Sequence, residues 1–181
     1  GLVERAFGLT LRELLYGYGG GSASGRPIRA VQVGGPLGAY LPESQFDTPL
    51  EYEAFAAIGA MLGHGGVVAF DDTVDMGQQA RFAMEFCAEE SCGKCTPCRE
   101  GGTWLMRMLE RVIAGYGTDA DLDQMREVGQ TICPGDMPHA SSKRLDLEAV
   151  PFPYKMTTIC FVGPSAYAPV HSALTLFRDE F

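Results

Sequence analysis

The chain has 181 residues and a formal net charge of −9, with 14 Lys and Arg set against 23 Asp and Glu. That length suits one or two compact domains with a buried core, so the six cysteines are not required as disulfide staples. The acidic balance excludes nucleic-acid backbones and anionic membranes as main partners, since both demand excess Lys and Arg, and leaves another protein or a small redox carrier.

No charged-then-apolar leader and no membrane-spanning apolar run is present, which predicts a cytoplasmic, reducing setting without direct membrane insertion. In such a setting clustered cysteines serve as metal ligands more often than as disulfide partners. The opening Gly1-Leu2-Val3 lacks an initiator methionine and reads as part of a longer polypeptide.

Thr10 and Glu13 stand in capping-box spacing, and Leu11, Leu14, Leu15 and Tyr18 follow with helical period before Gly19-Gly20-Gly21. Residues 28–33 predict a strand ending at Gly34-Gly35, and residues 67–70 a second one preceded by Gly63-His64-Gly65-Gly66. Between them Asp47-Thr48-Pro49 predicts the start of a brief helical turn, with proline at its first position. From Asp72 the period becomes helical, with an Asp72/Thr73 cap and an apolar face of Met76, Ala80, Ala83, Met84 and Cys87.

A second helix follows Cys98, marked by Leu105, Met108, Leu109 and Val112 and stopped by Gly115 and Gly117. A third follows Thr118, with Asp119, Asp121 and Asp123 at its positive end and Leu122, Met125 and Val128 facing inward. The proline-rich stretch 134–157 has no period and predicts a loop. Pro169 is expected to open a last helix carrying Val170, Ala173, Leu174 and Phe177 on one face.

The chemistry concentrates in Glu90-Ser91-Cys92-Gly93-Lys94-Cys95-Thr96-Pro97-Cys98-Arg99-Glu100-Gly101. Cysteines at this C-x2-C-x2-C spacing let one tight loop wrap three corners of an iron-sulfur cube, with Gly93 and Pro97 supplying the turns. A ferredoxin-like fourth cysteine would fall at Gly102, so the last corner must come from Cys87, Cys133 or Cys160. Cys87 lies on an apolar helix face and reads as a packed core thiol.

Lys94, Arg99 and the N-terminus of the following helix are placed to favour the reduced, more negative cluster, although solvated surface cations explain the first two equally well. Structural zinc is the main rival. It usually pairs two ligands with two, a pattern that three evenly spaced cysteines and the isolated His64, His139 and His171 fit poorly.

This loop resembles that of the flavin-bearing, NADH-binding subunit of respiratory complex I and of the related diaphorase subunits of NAD-dependent formate dehydrogenases and NAD-reducing hydrogenases. The likeness covers nearly the whole chain. Thr10-Leu11-Arg12-Glu13-Leu14, Ala30-Val31-Gln32-Val33-Gly34-Gly35 and Gly63-His64-Gly65-Gly66-Val67-Val68 look like that family's soluble-ligand-binding β-grasp domain. The stretches Gly34–Leu41 and Phe70–Met76 are most similar to the formate dehydrogenase β subunit.

The resemblance implies an α+β chain: a β-grasp domain over residues 1–72, then a helical-bundle 4Fe-4S domain over 73–181 with a loop insertion at about 134–157. It also implies the fourth ligand, a cysteine followed nine residues later by proline and then by a helix ending Phe-Arg/Lys-Asp. Cys160, Pro169, Val170, Leu174, Phe177, Arg178 and Asp179 match that register, so the implied ligands are Cys92, Cys95, Cys98 and Cys160.

The family's Gly-rich FMN and NAD motifs are absent, and both cofactors are expected only in an upstream domain. Gly34-Gly35 and Gly63–Gly66 read as turns rather than phosphate cradles, because neither leads into a convincing helix. The expected function is single-electron transfer between that flavin and iron-sulfur centres of partner subunits, including a thioredoxin-like 2Fe-2S subunit or domain. The chain alone is not expected to catalyse hydride transfer. Two alternatives are a zinc-stabilised interaction module and a β-grasp domain that binds a small ligand.

Overall fold

A computed structural model describes residues 1–133 and 157–181, so the proline-rich stretch read as an insertion lies almost wholly outside the described residues. The chain is a mixed α/β molecule with a small antiparallel sheet and several helices.

The first helical turns follow Thr10, whose hydroxyl accepts from the Glu13 amide at 3.1 Å while the Glu13 carboxylate accepts from the Thr10 amide at 2.9 Å. This reciprocal pair is the expected capping box. The helix then widens into a π-helical segment, Glu13–Tyr18, which buries Leu15 but leaves Tyr18 exposed.

Strands β1 (Ile28–Val33), β2 (Tyr40–Pro42) and β3 (Val67–Asp71) form one antiparallel sheet in the order β2-β1-β3. Strand β2 carries no sequence signal of its own. At three residues it exists through its pairing with β1, in which Gln32 faces Tyr40 and Ala30 faces Pro42. On the other side β1 pairs with β3 through Val33–Val67 and Gln32–Val68, with an irregularity between Ile28 and Ala30. The irregularity shifts side-chain parity. Ile28 therefore shares the small-core side with Val31 and Val33, while Ala30 packs into the helical core.

The turns entering and leaving the sheet need glycine. Gly34 and Gly63 have φ of +99° and +56°. A Cβ on Gly63 would stand 2.8 Å from the Gly34 Cα, so the two turns cross at backbone contact. That supports the reading of these runs as turns.

Helix α1 spans Tyr52–Ala57, later than the turn expected at Asp47-Thr48-Pro49. Pro49 instead forms a bridge with Thr10, and Leu50 N–H donates to Leu9 O, so this backbone is tied to the N-terminal segment. Helix α2 (Met76–Glu90) starts after Asp75, whose carboxylate accepts from the Gln78 amide at 2.8 Å. The Asp72/Thr73 cap is thus corrected. Thr73 is held by Asp71 in a turn just before the helix. The expected face of Met76, Ala80, Ala83, Met84 and Cys87 is buried.

Helices α3 (Thr96–Arg111) and α4 (Asp119–Ile132) follow, the second opened by a Thr118/Asp121 capping box. Helix α5 (Val162–Leu176) corrects the expectation for Pro169, which lies inside it rather than at its start. An interior proline costs about 3 kcal/mol. Eleven of the fifteen residues of α5 are buried, however, and that packing outweighs the cost. Pro164 sits in the first turn, where the missing N–H has no partner to lose. Helix α5 packs on α2, α3, α4 and β2.

Two clusters of buried apolar side chains result. Leu11, Leu15, Val31, Val33, Phe46 and Phe55 belong to the smaller one around the sheet. The larger joins Met84, Leu105, Met125, Tyr167 and Val170 of the helices to Ala30 and Tyr40 of the sheet.

Candidate iron-sulfur site

The cysteine loop occupies the corner between α2 and α3. Leaving Glu90, the chain becomes extended at Ser91 and turns through Gly93, whose φ is +73°. Cys95 is the N-cap of α3, followed by Thr96 and Pro97 in the opening helical positions. Cys98 therefore stands inside the first turn of α3, a little earlier than a helix following Cys98 implies.

Ser91 organises the loop. Its hydroxyl accepts from the Gly93 amide at 3.3 Å and lies 3.3 Å from Cys98 Sγ. The Arg99 guanidinium donates to Gly93 O at 3.0 Å and pairs with Glu100 at 2.8 Å. These contacts hold it against the loop, although half of its side chain stays in solvent. Lys94 is exposed. Cys92 is exposed, and Cys95 and Cys98 are partly covered.

The segment entering α5 lies against this loop. Ile159 N–H donates to Cys95 Sγ at 3.2 Å, which brings the residue next to Cys160 onto the second loop cysteine. The Thr158 hydroxyl donates to Cys160 O at 2.8 Å and holds the turn. A Cβ on Gly163 would be 2.7 Å from Thr158 Cγ2 and 3.3 Å from Cys98 Cβ, so the chain passes the loop at a distance suited to glycine. Thr157 Oγ1 donates to the carbonyls of Thr131 and Ile132, tethering the same segment to the end of α4. Cys160 itself is exposed.

The other two cysteines sit differently. Cys87 is buried among Met84, Ala83 and their neighbours, and burial, with a smaller contribution from Cys98, pushes its thiol up to about 12. It stays protonated at neutral pH, as a core thiol does. Cys133 closes α4 and packs half-buried against the helical core. Tyr40 approaches from the sheet and donates through its hydroxyl to Gln79 O at 2.8 Å. Its phenol is raised chiefly by burial and secondarily by Cys87.

Among the described residues no three His, Cys, Asp or Glu side chains gather around the position of a single ion. A cube asks for a different arrangement, one thiolate per corner. The donor chemistry fits such a group: a three-thiol loop, a fourth thiol on a segment bonded to that loop, an amide donor at Cys95 Sγ and a hydroxyl beside Cys98 Sγ, and the positive end of α3. The roles of Ser91, the Ile159 amide and Gly163 escaped sequence reasoning. Ser91 precedes the first cysteine without any marking pattern, and the other two act only through contacts distant in sequence.

Fold and site together define an iron-sulfur binding region, and residues 78–181 match the family described as the NADH-ubiquinone oxidoreductase-F iron-sulfur binding region. The chain belongs to that family, and these residues are a 4Fe-4S binding region. Across all 181 residues it is 34% identical to the NADP-reducing hydrogenase subunit HndC of Solidesulfovibrio fructosivorans and covers 32% of that protein. It is 36% identical over its whole length to the F-type NADH-quinone oxidoreductase subunit numbered 2 of Rhizobium meliloti (strain 1021), covering 38% of it. The crystal structure of an air-oxidized NAD+-reducing NiFe-hydrogenase aligns with a TM-score of 0.70 and 28% identity, over 96% of this chain and 25% of that one. The chain thus spans about a third of the length of these curated relatives. Among the described residues no helix is long and apolar enough to cross a membrane.

Proposed function

We propose that this chain is the electron-transfer part of a longer flavin-linked subunit, with its 4Fe-4S cluster held by Cys92, Cys95, Cys98 and Cys160. The observation that carries the ligand set is the Ile159 amide on Cys95 Sγ, which brings the segment of Cys160 to the three-cysteine loop. Bound there, the cluster supplies one-electron redox chemistry. The residues of the chain bind it and adjust it: four thiolates ligate, the Ser91 hydroxyl donates to Cys98 Sγ, and the Ile159 amide donates to Cys95 Sγ. Arg99 and the N-terminus of α3 offset the negative charge that reduction adds.

The donor or acceptor on one side is FMN in an upstream domain that also binds NAD. On the other side stand iron-sulfur subunits, including a thioredoxin-like 2Fe-2S partner. Both relatives named above are described as subunits of oxidoreductases, which supports a role within an assembly. The formate dehydrogenase type rests on residues 34–41 and 70–76 alone, whereas the relatives named above are hydrogenase and NADH-quinone oxidoreductase subunits. The smaller apolar cluster, drawn wholly from residues between Leu11 and Val67, supports division into a β-grasp unit, residues 1–72, and a helical cluster unit, residues 73–181, with Ala30 and Tyr40 packing across the boundary. We place the assembly in the cytoplasm.

Substituting the candidate ligands tests this reading. Cys160→Ser is expected to destroy or convert the cluster, while Cys133→Ser leaves a brown protein with the broad visible absorbance and about four irons and four sulfides per chain. The reverse result would reassign the fourth ligand to Cys133. A colourless zinc protein would remove the reading altogether.

A further inference from the structure

Three of the four proposed ligands are placed by the chain immediately around them. Cys92, Cys95 and Cys98 share one short loop that ends in the first turn of α3. Cys160 has no such support. It is exposed, and its neighbour Ile159 is 79% exposed, so burial does not hold these two residues in place.

Contacts on either side hold them instead. Downstream, Thr158 is buried and its Cγ2 lies against Gly163 in the first turn of α5. Upstream, Thr157 Oγ1 stands 3.0 Å from Thr131 O and 2.9 Å from Ile132 O. A hydroxyl carries one proton, so Thr157 shares it between two carbonyls that the end of α4 leaves without helical partners. Its branched Cβ restricts χ1 and so the direction in which the hydroxyl is presented.

The end of α4 is itself a fixed point. Ile132 is buried and packs on α3 so closely that a Cβ on Gly101 would meet its Cδ1 at 2.7 Å. Gly101 follows Cys98 by less than one helical turn. The last turn of α4 is therefore in register with the turn of α3 that carries the third ligand, and Thr157 passes that register on to the segment of Cys160.

We propose that Thr157 is the positioning residue of the fourth ligand. By bonding to the last turn of α4 it sets Cys160 beside the three-cysteine loop, and without its hydroxyl the Cys160 corner is the one that opens. The inference rests on the ligand set proposed above and goes beyond it, because Thr157 acts through α4 rather than at the metal.

The native subunit with its cluster is compared in three forms: unaltered, Thr157→Val, which keeps the shape and removes the hydroxyl, and Thr157→Ser, which keeps the hydroxyl. Ferricyanide takes one electron from the oxidised 4Fe-4S cluster and becomes ferrocyanide; the cluster then sheds one ferrous ion and is left as 3Fe-4S. Core charge rises by one with the electron and falls by two with the ion, and one cysteine thiolate is set free. The three-iron EPR signal and chelated iron report the rate, and iodoacetamide labelling read by peptide mass spectrometry reports which cysteine was released. Thr157→Val is expected to convert about 5-fold faster with label at Cys160, the worth of one hydrogen bond, and Thr157→Ser to match the unaltered subunit. Equal rates in all three forms, equal acceleration in both variants, or label at Cys92 would overturn the proposal. So would loss of every iron without a three-iron signal, which marks a general loosening of the fold. Cys160→Ser separates the two readings. If it converts the cluster while Thr157→Val behaves as the unaltered subunit, only the positioning role fails; if it keeps an intact four-iron cluster, the ligand set fails.

Discussion

Ser91 shows how much a single side chain can do at this site. Its hydroxyl turns the loop through Gly93 and stands at Cys98 Sγ. Donors to ligating sulfur stabilise the reduced cluster, so Ser91→Ala should lower the midpoint potential while the cluster stays bound. Loss of ~1 kcal/mol of hydrogen bonding corresponds to about 40 mV for a one-electron couple. An EPR-monitored redox titration reads the shift, and an unchanged potential would show that the hydroxyl serves the turn alone. Asp71 offers a second prediction at this scale. Bonds from Ser24 and Thr73 hold its carboxyl down to about 2, against an ordinary value of 3.8. A depressed carboxyl contributes stability above its unfolded pKa and loses it as pH falls towards the folded one. Acid unfolding of the native chain should therefore steepen between about pH 4 and 2, and Asp71→Asn should flatten that part of the stability curve measured by circular dichroism.

Elements were legible in proportion to how local their causes are. Both capping boxes, Thr10/Glu13 and Thr118/Asp121, lie within four residues and form as the spacing predicts. Strand β2 has no local cause and stayed invisible, since its register comes from β1. Pro169 misled for the complementary reason: proline marks helix starts locally, but the burial of α5 carries the helix through it. Helix contacts also separate glycines that look alike in sequence. A Cβ on Gly129 of α4 would meet the Tyr167 ring at 2.0 Å, whereas one on Gly101 of α3 would meet Cδ1 and Cγ1 of the buried Ile132 at 2.7 and 2.8 Å. Gly129→Ala should cost about 1–3 kcal/mol by overpacking. Gly101→Ala should cost less than Gly129→Ala, because gained helix propensity of about 1 kcal/mol offsets part of the shift that Ile132 must make. Urea denaturation compares the two, and equal losses would refute this ordering.

Across the whole molecule, Glu180 joins the sheet to the helices. Its carboxylate accepts from the Met76 amide at 2.6 Å and so caps α2. The other oxygen lies against the Arg29 guanidinium of β1 as an ion pair without a well-aligned hydrogen bond. Tyr40 N–H adds a bond to Ser172 Oγ of α5 at 2.9 Å. Glu180→Ala should destabilise the chain by about 1.5–3 kcal/mol, the range for a hydrogen bond to a charged group. Arg29→Ala should cost under about 1 kcal/mol, since Arg29 is partly exposed and solvent screens the pair. A denaturation midpoint unchanged by Glu180→Ala would show that the clasp contributes nothing.

By itself the sequence determined the three-cysteine loop, the helices that flank it, the first and last strands of the sheet, and the apolar faces that build the core. Each of these is written in spacing over a few residues, through capping side chains, turn glycines or a helical period of about 3.6. Only the tertiary structure decided where the loop sits relative to the segment of Cys160, 62 residues beyond Cys98 in the chain. It also decided that α5 runs through a proline and that the carboxylate of Glu180 joins β1 to the start of α2. Those outcomes depend on which surfaces bury against which. Burial free energy is summed over contacts distant in sequence, and no local pattern records that sum.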